Sequence, residues 1–219
     1  MQRHFDEALE QLKEKLLRMS SLVEESIGSS IKALVDRNAE LAYKVIKSDD
    51  QVNMIEIEID ELCLKFLALY QPTAGDLRFI ASPMKINSDL ERIGDLAVNI
   101  GERTLDLLKV PPLKLNFDIS KMAKATQGML KDSLNAFVNK DPKLAYEVCK
   151  RDDVVDDMNH EIFMEVLKCK PADLTPVERV IDLVLVAKNL ERVADHSTNI
   201  CEDDIYMVDG KVIKHHIAD

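Results

Sequence analysis

The stretch LERIGDLAVNIGE at residues 90–102 returns as LERVADHSTNICE at residues 190–202, and this repetition decides how the chain is organised. Glu91, Arg92, Asp95, Asn99, Ile100 and Glu102 have identical counterparts in Glu191, Arg192, Asp195, Asn199, Ile200 and Glu202, each 100 residues later. A second echo lies upstream of each copy: KSDD at 47–50 matches KRDD at 150–153, a shift of 103 residues. Two shared stretches in the same order mark an internal duplication. The spacing inside each copy is helical. Leu90, Ile93, Ala97 and Ile100 share one apolar face, and Glu91, Asp95, Asn99 and Glu102 form an acidic stripe beside it. Leu190, Val193 and Ile200 back the second stripe in the same way.

Working outward, apolar residues recur at three- and four-residue intervals through most of the chain. They predict a first helix over residues 5–36, with Leu9, Leu12, Leu16, Met19, Val23, Ile27 and Leu34 as its buried stripe. Asn38 breaks it and caps a second helix over 39–69, which Tyr70-Gln71-Pro72 ends. Thr73, with Asp76 three residues on, caps a third helix that runs to Leu108. Val110-Pro111-Pro112 is a linker, because paired prolines force an extended backbone. The pattern then restarts. A fourth helix is expected over 118–138, and Asp141-Pro142 caps a fifth that lasts to Lys168, with Pro171 marking its end. Thr175-Pro176-Val177-Glu178 starts a sixth, which Asp209-Gly210 stops after Val208. The expected fold is all-α: two tandem, internally duplicated three-helix bundles of long antiparallel helices, over 1–110 and 113–219.

Composition agrees with that reading. The chain of 219 residues is 46% hydrophobic and 32% charged, and its six glycines and seven prolines leave few turns. The net charge of −11 repels nucleic-acid phosphate, and no aromatic-plus-basic pattern offers to stack bases. Nucleic-acid binding is therefore not expected. Cys63, Cys149, Cys169 and Cys201 are widely spaced without a CxxC pair, which fits buried thiols in a reducing compartment. The opening MQRHFDEALEQLKEKLL carries charges throughout, unlike a secretory signal, and no apolar run approaches the ~18 residues that span a bilayer. A cytoplasmic protein is expected, with any membrane contact peripheral. The phosphate-cradling, nucleophile-elbow and HExxH motifs are missing from the sequence. The nearest approach to a di-iron Glu-x-x-His motif is Asp157-Met-Asn-His160, in one half alone.

The duplicated stripe has a chemistry of its own. Like charges at i and i+4 repel, so each stripe calls for compensation, and a cation supplies it. Asp49, Asp50, Asn53 and Glu56 form a further stripe in the first half, matched by Asp152, Asp153, Asp156 and Asp157 with His160 close by. If neighbouring helices are antiparallel, these stripes face Glu91, Asp95 and Asn99, and Glu191, Asp195 and Asn199. Carboxylate and amide oxygens are hard ligands suited to magnesium, calcium, manganese or iron, and the cofactor expected is a divalent or trivalent metal ion, iron or else zinc, manganese or magnesium. The competing structural account is that Arg92 and Arg192 neutralise the acids as surface ion pairs, worth at most about 1 kcal/mol each. His196 reads as a packed or capping histidine, His215-His216 as an exposed tail, and the nine methionines as core filler. A non-enzymatic binding protein is favoured, with a metal-dependent carboxylate-bundle enzyme as the alternative.

QPTAGDLR at 71–78, DLERIGD at 89–95, LERVADH at 190–196, Asn199-Ile200 and IYMVDG at 205–210 resemble the signature segments of PhoU proteins, the phosphate-transport-system regulators of bacteria. The resemblance spans essentially the whole chain. It implies two three-helix bundles and a cytoplasmic negative regulator of phosphate uptake and the phosphate regulon. Such a protein acts as an adaptor between the phosphate ABC transporter, through its ATPase subunit, and a sensor histidine kinase. It would meet the membrane only through these partners, and a homodimer is left open. Some members of the family carry multinuclear metal clusters on E/DxxxD faces. By motif position that role falls on Glu91 with Asp95, Glu191 with Asp195, Asp49 with Asn53, and Asp152 with Asp156. Asn53 departs from the pattern by placing an amide where the second half has a carboxylate, so the two halves are not expected to hold metal equally.

Overall fold

The computed structural model describes residues 2–72, 74–112, 118–168 and 177–213. Its helices are α1 (Gln2–Val35), α2 (Ala39–Tyr70), α3 (Ala74–Leu108), α4 (Ile119–Asn139), α5 (Pro142–Cys149), α6 (Asp152–Lys168) and α7 (Val177–Asp209). No strand occurs among the described residues. Of the α1 stripe, Leu12, Leu16, Met19, Val23 and Ile27 are buried, and Leu9 and Leu34 are half-buried against the core. Each such side chain removed from water contributes about 1.5–3 kcal/mol, which outweighs the modest intrinsic preference of any one turn.

Helix ends fall where side chains can take up free backbone groups. Asn38 Oδ1 accepts the Leu41 N–H at 3.0 Å, and Asp118 Oδ1 accepts that of Ser120 at 2.9 Å. Asp141 Oδ1 accepts from Lys143 and Leu144 at 3.1 and 3.2 Å, with Pro142 in the first turn of α5, where its missing N–H costs nothing. Helix α7 stops at Gly210, whose φ of 69° suits a residue without Cβ and whose N–H reaches the Tyr206 carbonyl at 3.0 Å. Arg37 serves a distant end. Its guanidinium donates to the carbonyls of Leu107, Leu108 and Val110 at 3.1, 3.3 and 2.9 Å, fixing the close of α3 and the start of the linker. Arg179 on α7 holds the Pro111 carbonyl at 3.0 Å. The expected roles of Thr73, Pro171, Thr175 and Pro176 lie outside the described residues, as do Cys169, His215 and His216.

One expectation is corrected. The fifth helix does not run unbroken to Lys168: it divides at Lys150–Arg151 into α5 and α6. Arg151 N–H bonds the Val148 carbonyl and Val154 N–H the Arg151 carbonyl, tight three-residue closures that interrupt the α ladder. The Arg151 guanidinium is drawn to Asp132 on α4 at 2.7 Å. A fresh start at Asp152 also puts two acidic residues in the first turn of α6, where the helix dipole favours them. The matching point of α2, Lys47-Ser48-Asp49, stays helical throughout.

Helices α3 and α7 pack along their lengths and carry the rest: α1 and α2 lie on α3, and α4, α5 and α6 on α7. Polar pairs across the seam show that they run antiparallel. Lys85 reaches Asp203 at 3.2 Å, Asp89 meets His196 at 2.8 Å, and Arg103 reaches Asp182 at 3.1 Å. Between these rungs lie Ile86, Leu90, Ile93 and Ile100 from α3, and Val186, Leu190, Val193 and Ile200 from α7, all fully buried. They belong to one core shared by both halves.

Asp182 and Asp203 are buried carboxylates facing cations from the other half, and a buried charge that loses its partner is costly. Arg103→Ala is expected to destabilise the protein by about 2 kcal/mol in urea unfolding, and Asp182→Asn in the same background should recover part of that loss. Asp204 differs: it is 0% exposed, and neither carboxylate oxygen has a hydrogen-bond partner. Burial, with Asp141 and Asp209 adding to it and Lys140 opposing, lifts its pKa from 3.8 to about 6. The native state then holds a proton that the unfolded chain releases, so this contribution is present below the ordinary carboxylate value and is lost as pH rises towards about 6. Asp204→Asn should reduce the fall in unfolding midpoint across that window, and an unchanged slope would sink the assignment.

Candidate metal centre

In the second half the acidic stripes meet. Asp152 and Asp156 stand one turn apart on α6, Glu191 and Asp195 one turn apart on α7, and the two helices pack together. Carboxylate oxygens of Asp156, Glu191 and Asp195 all lie within 4.8 Å of one another. Asp152 lies beside the group, within reach of its charges, and its Oδ1 is buried without a hydrogen-bond partner. Burial first, then the charges of Asp195, Asp156, Asp153 and Glu191, lifts its pKa from 3.8 to about 6. Asp195 and Asp156 are raised for the same reasons, burial first and Glu191 next. One cation, Lys188, pairs with Glu191 and offsets only part of this repulsion. Asp153 is exposed and acts on the group through its charge.

The first half holds the same frame with the charge settled internally. Asn53 Nδ2 donates to Asp49 Oδ2 at 2.8 Å, where the second half has the carboxylate of Asp156. Arg92 sits 3.5 Å from Glu91 and 3.4 Å from Asp95. Burial raises Asp49, the Asn53 amide opposes, and Asp95 and Asp50 raise it further; Asp50 itself is exposed. Glu91 is raised by burial and Asp95, against Arg92, with Glu56 and Asp49 adding to it. Gly94 permits the close approach of α2 here, since a Cβ on it would lie 3.3 Å from Asp49 Oδ1.

The two asparagines of the stripes have separate fates. Asn199 turns across the seam, where its Nδ2 donates to Asp89 Oδ1 at 3.3 Å beside His196. It is committed to holding the halves together rather than to the acid group. Asn99 continues the α3 stripe one turn past Asp95 and is half-buried. Asp182, Asp203 and Asp204 fall outside the stripes and segments that the sequence singles out, and Asp89 enters there only as the first residue of DLERIGD. The signal was there: Asp203 and Asp204 fall between Ile200 and Met207, in phase with the buried face of α7.

Chemically, the second-half group is a set of hard oxygen donors with excess negative charge and a buried, unpartnered oxygen. These residues fit a divalent or trivalent cation, which would compete with the proton that burial and the neighbouring charges favour on Asp152. Calorimetric titration with Mn²⁺ or Fe²⁺ should find the tighter site in the second half. Asp195→Asn should weaken it by about tenfold or more, Asp95→Asn should leave it unchanged, and binding should release protons near pH 6.

A family model for the PhoU domain matches this chain twice, over residues 16–104 and 119–203. The chain is 42% identical over 207 residues to a phosphate-specific transport system accessory protein PhoU homolog of Aquifex aeolicus, covering 94% of each protein. A Clostridium acetobutylicum protein of the same name is 38% identical, with 95% of this chain and 96% of that one covered. The crystal structure of PhoU from Pseudomonas aeruginosa superposes with a TM-score of 0.91 at 35% identity, over 94% of this chain and 100% of that one. That of the phosphate transport system regulatory protein PhoU from Streptococcus pneumoniae gives 0.83 at 28% identity, over 96% and 99%. With both repeats matched and the helices superposed end to end, the chain belongs to the PhoU family.

Proposed function

We propose that this protein is a non-enzymatic negative regulator of phosphate uptake. In this reading it is a cytoplasmic adaptor that joins the ATPase subunit of a phosphate ABC transporter to a sensor histidine kinase. When phosphate is plentiful, it keeps the kinase from activating the phosphate regulon. The observation that carries the proposal is the near full-length match to proteins named as accessory to phosphate-specific transport. No helix among the described residues is long and apolar enough to cross a membrane, which suits a protein that reaches the transporter from one side.

The acidic faces enter the proposal as metal-dependent docking surfaces. Asp152, Asp156, Glu191 and Asp195 would hold the ion, which neutralises the face and fixes the α6–α7 spacing. The first-half group of Asp49, Glu91 and Asp95, already answered by Asn53 and Arg92, would bind metal less readily. Deleting the gene in its host should give constitutive expression of a phosphate-regulon reporter in phosphate-rich medium. The wild-type gene should restore repression, and the double variant Asp152→Asn, Asp195→Asn should restore it only in part. Unchanged reporter expression on deletion defeats the regulatory reading; full repression by the double variant defeats the role given to the metal.

A further inference from the structure

Two cysteines meet where α5 ends against α7. Cys149 is the last residue of α5, half-buried and packed on the core that contains Cys201 of α7, which is 0% exposed. The two thiols lie close enough to perturb each other, and both are free. The duplication supports the same placement. Their counterparts in the first half, by the shifts of 103 and 100 residues, are Ile46 and Gly101. There a Cβ placed on Gly101 would lie 3.3 Å from Ile46 Cγ1 and 3.4 Å from the Ala42 carbonyl oxygen. The repeat thus brings these two positions into van der Waals contact, and the second half has put sulfur on both.

We propose that Cys149 and Cys201 form an oxidation site: a dithiol that hydrogen peroxide converts to an intramolecular disulfide linking α5 to α7. Access sets the order of events. Cys149 is the thiol that solvent can reach, and Cys201 lies behind it. The Cys149 thiolate attacks one peroxide oxygen, the O–O bond breaks, and hydroxide leaves and takes a proton to become water. Cys149 is then a sulfenic acid, oxidised by two electrons. The Cys201 thiol attacks that sulfur; the S–S bond forms, the S–O bond breaks, and the oxygen departs with the Cys201 proton as a second water. Overall, two thiols and one peroxide give one disulfide and two waters. The neighbouring Cys201 thiol holds Cys149 below its ordinary value, which favours the first step.

The disulfide would fasten the end of α5 just before the break at Lys150–Arg151, beyond which Asp152 begins α6. In the reducing cytoplasm expected for this chain the pair would stay reduced and close only under peroxide stress.

The test is oxidation of the reduced full-length protein with a modest excess of hydrogen peroxide, followed by peptide mapping without reduction. A peptide joining Cys149 to Cys201 is expected, at the mass of the two thiol peptides less two hydrogens. The thiol count after unfolding should fall from four to two. Dimedone should label Cys149 in the Cys201→Ala variant and label nothing at these positions in Cys149→Ser. Retention of all four thiols overturns the proposal, as does a link through Cys63 or Cys169 or a disulfide between chains. The mapping uses the unaltered protein, so it decides the matter even if Cys201→Ala fails to fold.

Discussion

The antiparallel seam between α3 and α7 is the constraint on which the rest of the structure depends. Each half contributes one central helix, and every other helix packs on one of the two. Apolar burial supplies the driving force along this seam, but leucine and isoleucine alone do not choose a register, because ridges one turn apart fit almost equally well. The polar rungs choose it. Lys85 with Asp203 and Arg103 with Asp182 lie towards opposite ends, and Asp89 with His196 and Asn199 between them. A slip of one turn would strand Asp182 and Asp203 in the interior without a cation, a larger penalty than any single hydrophobic contact repays. Buried ion pairs of this kind act more as selectors than as stabilisers.

Two acidic sites hang from that seam and have diverged from a common plan. Both keep i, i+4 carboxylates on the central helix, facing a second pair of positions on the flanking helix. One substitution changes the balance. An amide at Asn53 donates to Asp49, whereas the carboxylate of Asp156 repels Glu191 and Asp153. Placement of the cations does the rest: Arg92 lies between Glu91 and Asp95, and Lys188 engages Glu191 alone. The first site is thus nearly satisfied by its own residues, and the second retains charge that protons or a cation must answer. Duplication kept the frame and changed the balance of charge in one copy.

Much of this was legible in the sequence, for local reasons. Asn38, Asp118, Asp141 with Pro142, and Gly210 announce helix boundaries because capping is decided within a few residues. The repeat of Glu91 and Asp95 as Glu191 and Asp195 located both acid groups, and Asn53 already marked their inequality. What stayed hidden was decided by tertiary contacts. Cys149-Lys150-Arg151 reads as good helix, and the break there depends on Arg151 reaching Asp132 on another helix. Asn199 belongs to the acidic stripe by spacing, but α7 in its seam turns that residue toward Asp89. A period of 3.6 residues places side chains around an axis; it does not say which neighbour waits at each angle.

Asp195 and His196 show what that rotation achieves. They are consecutive, so about 100° of helix separates them: Asp195 enters the acid group while His196 crosses to Asp89. A positive charge on the His196 ring would oppose the rise of the Asp195 pKa, so the seam lies within electrostatic reach of the acid group. Asp89 belongs to the first half and Asp195 to the second. The acid group of one half is therefore joined, through a single peptide unit of α7, to the contact that fixes the other half in register.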